Sequence, residues 1–320
     1  MKSRTNHLAI GAVAAAAVLL AGCSSTGSSA EEFAAPTRAT MIVPFAAGGG
    51  SDVSGRAVAS GLEGVTGLTV TVENREGGAG AVGYSALLGM EGREDVLLAS
   101  ELALVSLPLA QDVSFRSDSF TPIMNLGGDY ALLMTAASSE FETCADVVTA
   151  AKAERVVTAV TGATGIDEIT VSLIEQDQDV EFARVPYESG GEVVAALLGG
   201  HVDVAPLNPS EVVGQLESGD LRALCAFTEE RYAYEELAAI PTAAEQGIDV
   251  AFAQFRGFIA PGGISEDARK YWIEAAEAFA DSEQYTDYIE SNMMQPNAVY
   301  GDEFVAFLDE TRADVEAALG

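Results

Sequence analysis

Basic residues are scarce in this chain of 320 residues: Lys and Arg total 16 against 49 Asp and Glu, and lysine stands only at Lys2, Lys152 and Lys270. The formal charge of -33 excludes nucleic acid as a partner, because such a chain cannot bind phosphate backbones by releasing counterions. Histidine is confined to His7 and His201, and no G-x-S-x-G elbow is present, which disfavours nucleophile-base chemistry and an enzyme in general. Cysteine is confined to Cys23, Cys144 and Cys225, too few for a disulfide framework; with His201 they stand apart in sequence without ligand spacing, so no metal site is expected. Carboxylate pairs carry no information about glycoside chemistry in a chain with so many acids.

What is present is a globular composition. With 48% hydrophobic residues and 32 Gly, the chain has the apolar content that a disordered acidic polymer lacks, and its length fits about two domains. The beginning reads as an address. Lys2 and Arg4 precede an apolar run over 8–21 that is shorter than the ~20 residues needed to span a bilayer, and polar residues follow. Leu20-Ala21-Gly22-Cys23 resembles a bacterial lipobox, so residues 1–22 are expected to be a lipoprotein signal peptide and Cys23 the site of lipidation. Residues 23–35, rich in Ser, Gly and Ala, then form a flexible tether. Cleavage would leave His201 as the one histidine, with Cys144 and Cys225 either paired or free.

Beyond residue 35, short apolar runs alternate with helical patterns. Strands are expected at 41–43, 68–72, 96–99, 132–134, 156–160, 202–205 and 223–227, and helices at 52–62, 143–152, 167–175, 192–198 and 211–217. Two helices, 265–279 and 302–319, end the chain; in the first, Ser265 caps and Ala268, Trp272, Ala275 and Phe279 make one apolar stripe. The order is that of an α/β protein.

Three times a strand runs into a Gly/Ser/Thr loop and then a helix, at 43–51, 160–165 and 185–191. Each such loop aims backbone N–H groups at whatever lies above the sheet edge, which suits an anion, although for any one loop a tight turn is explanation enough. The segment Gly78-Ala79-Gly80-Ala81-Val82-Gly83 fits the dinucleotide pattern G-x-G-x-x-G, but residues 73–77 separate it from the preceding strand and only a short helix follows.

Taken in order, these segments resemble a family. Thr40-Met41-Ile42-Val43-Pro44-Phe45-Ala46-Ala47-Gly48-Gly49-Gly50-Ser51-Asp52 with Arg56 looks like the opening signature of the Bug/TctC solute receptors, the extracytoplasmic binding proteins of tripartite tricarboxylate transporters. The likeness continues through Val72 to Gly80, where the family usually has proline at the position of Glu76, through Ser119 to Ile123, Val185 to Gly191, Leu197 to Asp203, Pro241 to Gly247 and Gly257 to Pro261. The glycine fingerprint then becomes the family's second loop.

The resemblance implies a type II periplasmic-binding-protein fold: two α/β lobes closing on a small carboxylated ligand, lobe 1 from residues 36–127 plus 251–320 and lobe 2 from residues 128–250. It implies ligand contacts at Phe45, Ala46, Gly49, Gly50, Ser51 and Asp52 in the first lobe. In the second lobe it implies Thr161, Gly162, Ala163, Thr164 and Gly165, with Ser189, Gly190 and Asp203 close by. Alternatives stand beside several of these. Asp52 and Arg56 are spaced for an ion pair, Asp203 suits either a ligand hydroxyl or amine or the loop amides, and Arg75 and Arg184 suit either a carboxylate ligand or structural pairing. Arg256 departs from the family, which usually has an aromatic residue there. Facing the cleft it would clamp a second carboxylate; facing solvent it would neutralise neighbouring acids. The expected protein is a monomeric, cofactor-free receptor, held on a membrane by lipid and presenting a di- or tricarboxylate to the membrane subunits of a tripartite permease. A lipid-anchored sensor feeding a membrane kinase and an exported enzyme are the alternatives.

Overall fold

In the computed structural model the described residues are 33–161, 165–187 and 189–319. The expected signal peptide and Cys23 lie outside them, as does all but the end of the expected tether. The chain from residue 33 onward forms one compact unit.

Its larger sheet has six strands. Three are parallel: β1 (Arg38–Val43) lies between β2 (Thr69–Asn74) and β3 (Val96–Glu101). Three antiparallel additions follow, because β10 (Ala253–Pro261) pairs with β3 and with β4 (Phe120–Tyr130), and β11 (Gln295–Tyr300) closes the edge against β4. Period-two alternation builds a layer on each face. Met41 and Val43 pack with Val58, Leu62, Trp272 and Phe279 on one side, while Ile42 packs with Tyr84, Leu98, Phe115 and Phe304 on the other. The first layer joins α1 (Gly50–Thr66) to α8 (Glu266–Ala280), at a crossing so close that a Cβ on Gly61 would lie 2.1 Å from Phe279 Cδ2. The expected stripe on α8 is buried, its Ser265 caps the helix by accepting from the Ala268 amide, and Trp272 Nε1 donates to the Glu94 carbonyl at 2.9 Å.

At Ala131 the chain leaves this sheet, and at Phe252 it returns. Between these points β5 (Leu132–Ala136) is flanked antiparallel by β8 (Ala205–Leu207) and β9 (Leu221–Ala226). A parallel pair, β6 (Val157–Val160) and β7 (Ala183–Pro186), joins through a bridge from Thr158 to Val204. Four helices accompany these strands: α4 (Cys144–Ala151), α5 (Ile166–Gln178), α6 (Gly190–Leu198) and α7 (Pro209–Ser218). The C-terminal helix α10 (Gly301–Leu319) packs on both α3 (Ala103–Ala110) and α5, so one apolar cluster runs from Ile42 to Phe227.

The C-terminal region differs from its expected two helices: α9 (Glu283–Ser291) and β11 lie between them. β4 and β10 were also absent from the expected strands, and β7 was expected only as the strand that runs into the 185–191 loop. The reasons are local. β4 carries Pro122, Gly127 and Gly128, β11 carries Pro296 beside a register break, and β10 places Gln254 and Arg256 among its apolar residues. Strand interiors normally exclude such residues. Here Gly127 is required, since a Cβ on it would lie 2.5 Å from the Gln295 carbonyl oxygen of β11.

Of the two states left open for Cys144 and Cys225, the structure shows the disulfide, joining α4 to β9 across 81 residues of sequence. A loop of that length corresponds to roughly 4 kcal/mol of chain entropy removed from the unfolded state. Replacing both cysteines with alanine is therefore expected to lower the melting temperature by several degrees. Insensitivity of the wild-type melt to reductant would count against this role.

Candidate functional site

The loop after β1 ends at Gly49, which enters α1 in an extended conformation without a side-chain cap. The first amides of a helix have no intrahelical acceptor, so those of Gly50 and Ser51 face outward with the positive end of the helix behind them. Ala46, Gly49 and Gly50 are exposed, whereas Phe45 is half-buried. Beneath Phe45 lies the glycine fingerprint: a Cβ on Gly80 would lie 3.1 Å from its ring, and one on Gly83 would lie 2.7 Å from Pro44 Cα. Close packing of the second loop against the first accounts for those glycines.

Asp52 is buried and fully committed to the loop. Its Oδ2 accepts from the Gly48 amide at 2.9 Å and from Arg56 Nε at 2.8 Å, while its Oδ1 accepts from Asn74 Nδ2 at 2.8 Å. The Arg56 bond, outweighing burial, and the Gly48 and Asn74 bonds hold its carboxyl down at about 2. Asn74 Nδ2 also donates to the Phe45 carbonyl oxygen at 3.0 Å.

The loop after β6 uses the same device with a residue that sequence reasoning missed. Asp167, buried in the first turn of α5, accepts from both the amide and the hydroxyl of Thr161, and α5 opens at Gly165 without a side-chain cap. The signal was an Asp in the first turn after a glycine loop, two residues past Gly165 where Asp52 stands three past Gly49. Gly162, Ala163 and Thr164 lie outside the described residues. Ser189 is spent as the cap of α6, accepting from the Glu192 amide, and Gly190 follows it.

Contacts carry one loop to the next. A Cβ on Gly50 would lie 2.8 Å from Arg256 Nη2. Arg256 Nη1 pairs with Glu101 Oε2, and Nη2 stands 3.6 Å from Asp129 Oδ2. Asp129 Oδ1 accepts from Asn208 Nδ2 at 2.7 Å, and the Asn208 amide donates to Glu211 Oε2 at 3.1 Å. Glu211 Oε1 lies 2.2 Å from where a Cβ on Gly190 would stand. The N-termini of α1, α6 and α7 are thereby linked, and Glu211 also feels the charge of Asp167 at the start of α5.

Arg256 thus faces inward, with its charge paired internally. Burial works against the guanidinium charge but is outweighed by Glu101 and Asp129, so its pKa is raised. Burial likewise pushes Asp129 and Glu211 upward, with Arg256 opposing in both cases. Ser51 Oγ donates to Glu101 Oε2. Arg75 and Arg184 are in structural pairs, the first with Glu73 and the second with Glu168 and Glu175. The structure does not bring Asp203 to this end of the sheet. Its Oδ2 accepts from the Val157 amide at 2.7 Å, where β6 begins, opposite the Thr161 loop. His201 is exposed, and no metal-ligating cluster occurs among the described residues.

Asp52→Asn is expected to cost about 1 kcal/mol at pH 7, the half-exposed Arg56 keeping the figure modest. Because the folded pKa is depressed, the carboxylate contributes fully above its ordinary value near ~3.9 and the contribution fades as pH falls through the folded value. The difference between wild-type and variant urea midpoints should therefore shrink from pH 4 toward pH 2, and a pH-independent difference would sink this role.

Comparison with known proteins agrees with this architecture. Residues 55–318 match the model of the tripartite tricarboxylate transporter family receptor, TctC. The UPF0065 protein in the gbd 5'region of Cupriavidus necator is 25% identical over 312 residues, covering 96% of this chain and 94% of the relative. Among solved structures, a TctC solute binding protein from Polaromonas superposes with a TM-score of 0.78 at 23% identity, over 88% of this chain and 97% of that one. An R. palustris protein solved with adipate gives 0.76 at 22% identity, over 88% and 98%. The fold is that of the two-lobed α/β binding proteins, and the chain belongs to the TctC family, a family of solute-binding receptors and not of enzymes.

Proposed function

We propose that this protein captures a small organic carboxylate, a di- or tricarboxylate, outside the cytoplasm and delivers it to the membrane subunits of a tripartite permease. The observation that carries this reading is the pair of glycine-opened helices, α1 at Gly49 and α5 at Gly165, each preceded by a loop clamped by an aspartate of the helix's first turn. Such N-termini offer fixed amides to an anion without a charged side chain. The adipate held by the R. palustris relative is of the ligand class that this arrangement suits.

In this reading Phe45, Ala46, Gly49, Gly50 and Ser51 meet the ligand from lobe 1, and Thr161 to Gly165 with Gly190 meet it from lobe 2. Asp52 acts through the loop it holds. Residues 36–127 with 251–320 and residues 128–250 are the lobes, the crossings falling within a few residues of Ala131 and Phe252, where the chain changes sheets. The protein acts as a monomer tethered by lipid on Cys23. Among the described residues no helix is long and apolar enough to cross a membrane.

The test is a thermal-shift and calorimetric screen of citrate, succinate, malate, adipate, aromatic carboxylates and nicotinamide. A carboxylate at a hundred times its Kd should add about 2.7 kcal/mol to the folded state. Indifference to every carboxylate would overturn the reading. Gly50→Val, which pushes a side chain toward Arg256, is expected to weaken the carboxylate that binds by roughly tenfold or more; undiminished affinity would remove the α1 loop from the site.

A further inference from the structure

The chain passes from the larger sheet to the smaller one at Ala131, between β4 and β5, and a side-chain hydrogen bond spans that crossing. Asp129 stands near the end of β4, in register with Gln254 of β10, so it moves with lobe 1. Asn208 follows β8, whose Leu207 is in register with Leu132 of β5, and it opens α7, so it moves with lobe 2. Asn208 Nδ2 donates to Asp129 Oδ1 at 2.7 Å.

The backbone bonds at the crossing do not join one lobe to the other. The Phe227 amide donates to the Ala131 carbonyl at 3.0 Å and the Phe252 amide to the Phe227 carbonyl at 3.1 Å, which holds the two crossing segments to each other. Farther out, Tyr234 Oη donates to the Met294 carbonyl at 2.6 Å and Gln176 Nε2 to the Ala317 carbonyl at 2.9 Å, both between neutral groups. The Asn208 bond differs in having a buried carboxylate as its acceptor. Arg256 Nη2 stands 3.6 Å from the other oxygen of that carboxylate, which keeps Oδ1 aimed at Asn208. Hydrogen bonds to a charged partner are about twice as strong as neutral ones. The bond is also sensitive to angle. Two residues of strand put Asp129 ~6–7 Å from Ala131, so a rotation of about 30° there displaces it by roughly 3 Å, enough to break a hydrogen bond.

We propose that Asn208 is a positioning residue that clamps the angle between the lobes: its bond to Asp129 holds the unliganded protein with the cleft drawn together, and release of that bond opens the cleft to the ligand. The inference goes beyond the receptor reading and does not depend on which ligand is captured. A hydrogen bond to a charged group changes a population ratio by roughly tenfold or more, so the clamp makes the open form the minor one.

The test uses the unliganded chain from residue 24 onward, which contains the whole compact unit, with a nitroxide on each lobe at Val82→Cys and Leu198→Cys, both exposed positions. Cys144 and Cys225 are joined in the disulfide and take no label. Pulsed electron spin resonance reads the label separation, and small-angle X-ray scattering on the unlabelled chain reads the radius of gyration. Asn208→Ser keeps a good N-cap for α7 but is too short to reach Asp129. Its open population is expected to be about tenfold larger than that of the wild type, with a larger radius of gyration and unchanged helix content. Asn208→Asp sets a second carboxylate against Asp129 and should open the cleft further. Combining it with Asp129→Asn re-forms the bond with donor and acceptor exchanged, and should bring the separation back toward that of the wild type. Label separations and radii in Asn208→Ser and Asn208→Asp that match the wild type overturn the clamp, as does a wild type that is already mostly open or an exchanged pair that stays as open as Asn208→Asp. Each of these results leaves the carboxylate receptor standing, because no carboxylate ligand enters the experiment.

Discussion

The buried guanidinium of Arg256 is the constraint around which the cleft is arranged. A charge removed from water is tolerated only when partners surround it, and here β3 supplies Glu101 and β4 supplies Asp129. The strands that carry the three residues are neighbours in one sheet, with β10 in the middle, so the cluster spans the antiparallel core of the larger sheet. Removing Arg256 would leave two carboxylates facing each other, a change in the range of ~3–5 kcal/mol for broken buried pairs. Its influence reaches further than its own strand. The start of α1 rests on it at Gly50, and Asp129 passes the connection to Asn208 beyond the crossing.

This arrangement separates two uses of charge. The excess that gives the chain -33 is spread over a surface where water solvates carboxylates cheaply, and it repels anions at long range. Capture of an anion therefore has to be local. In the site we propose, the two glycine-opened helices would meet that requirement with backbone dipoles whose sign is independent of side-chain composition, while Asp52 and Asp167 spend their charge holding the loops in shape. A side chain that looks like a ligand in a motif can thus be a brace for the backbone of its loop.

Much of the fold was legible because it obeys period. Short apolar runs marked β1, β3 and β5, and a 3.6-residue stripe with a serine cap marked α8. What escaped was built from residues that normally end strands: Gly127 and Gly128 in β4, Pro296 in β11, Arg256 in β10. Their tolerance comes from partners far away in sequence, such as the Gln295 carbonyl against Gly127, which no local window contains. The same holds in the site. The Gly48–Ser51 loop was visible, as was the Asp52 to Arg56 spacing, but Asp167 and Glu211 were two acids among 49 until the fold set them beside Thr161 and Gly190.

By itself the sequence determined the α/β class, the glycine loops at strand ends and, through their order, the receptor family, since these depend on periodicity and on backbone conformations that few residues allow. Only the tertiary structure decided which charges are spent. It paired Cys144 with Cys225, committed Arg184 to Glu168 and Glu175, turned Arg256 inward to Glu101, and left Asp203 at the far end of β6. The physical reason is that an ion pair or a hydrogen bond is a matter of a few ångströms between groups that may be two hundred residues apart, and only packing sets that distance.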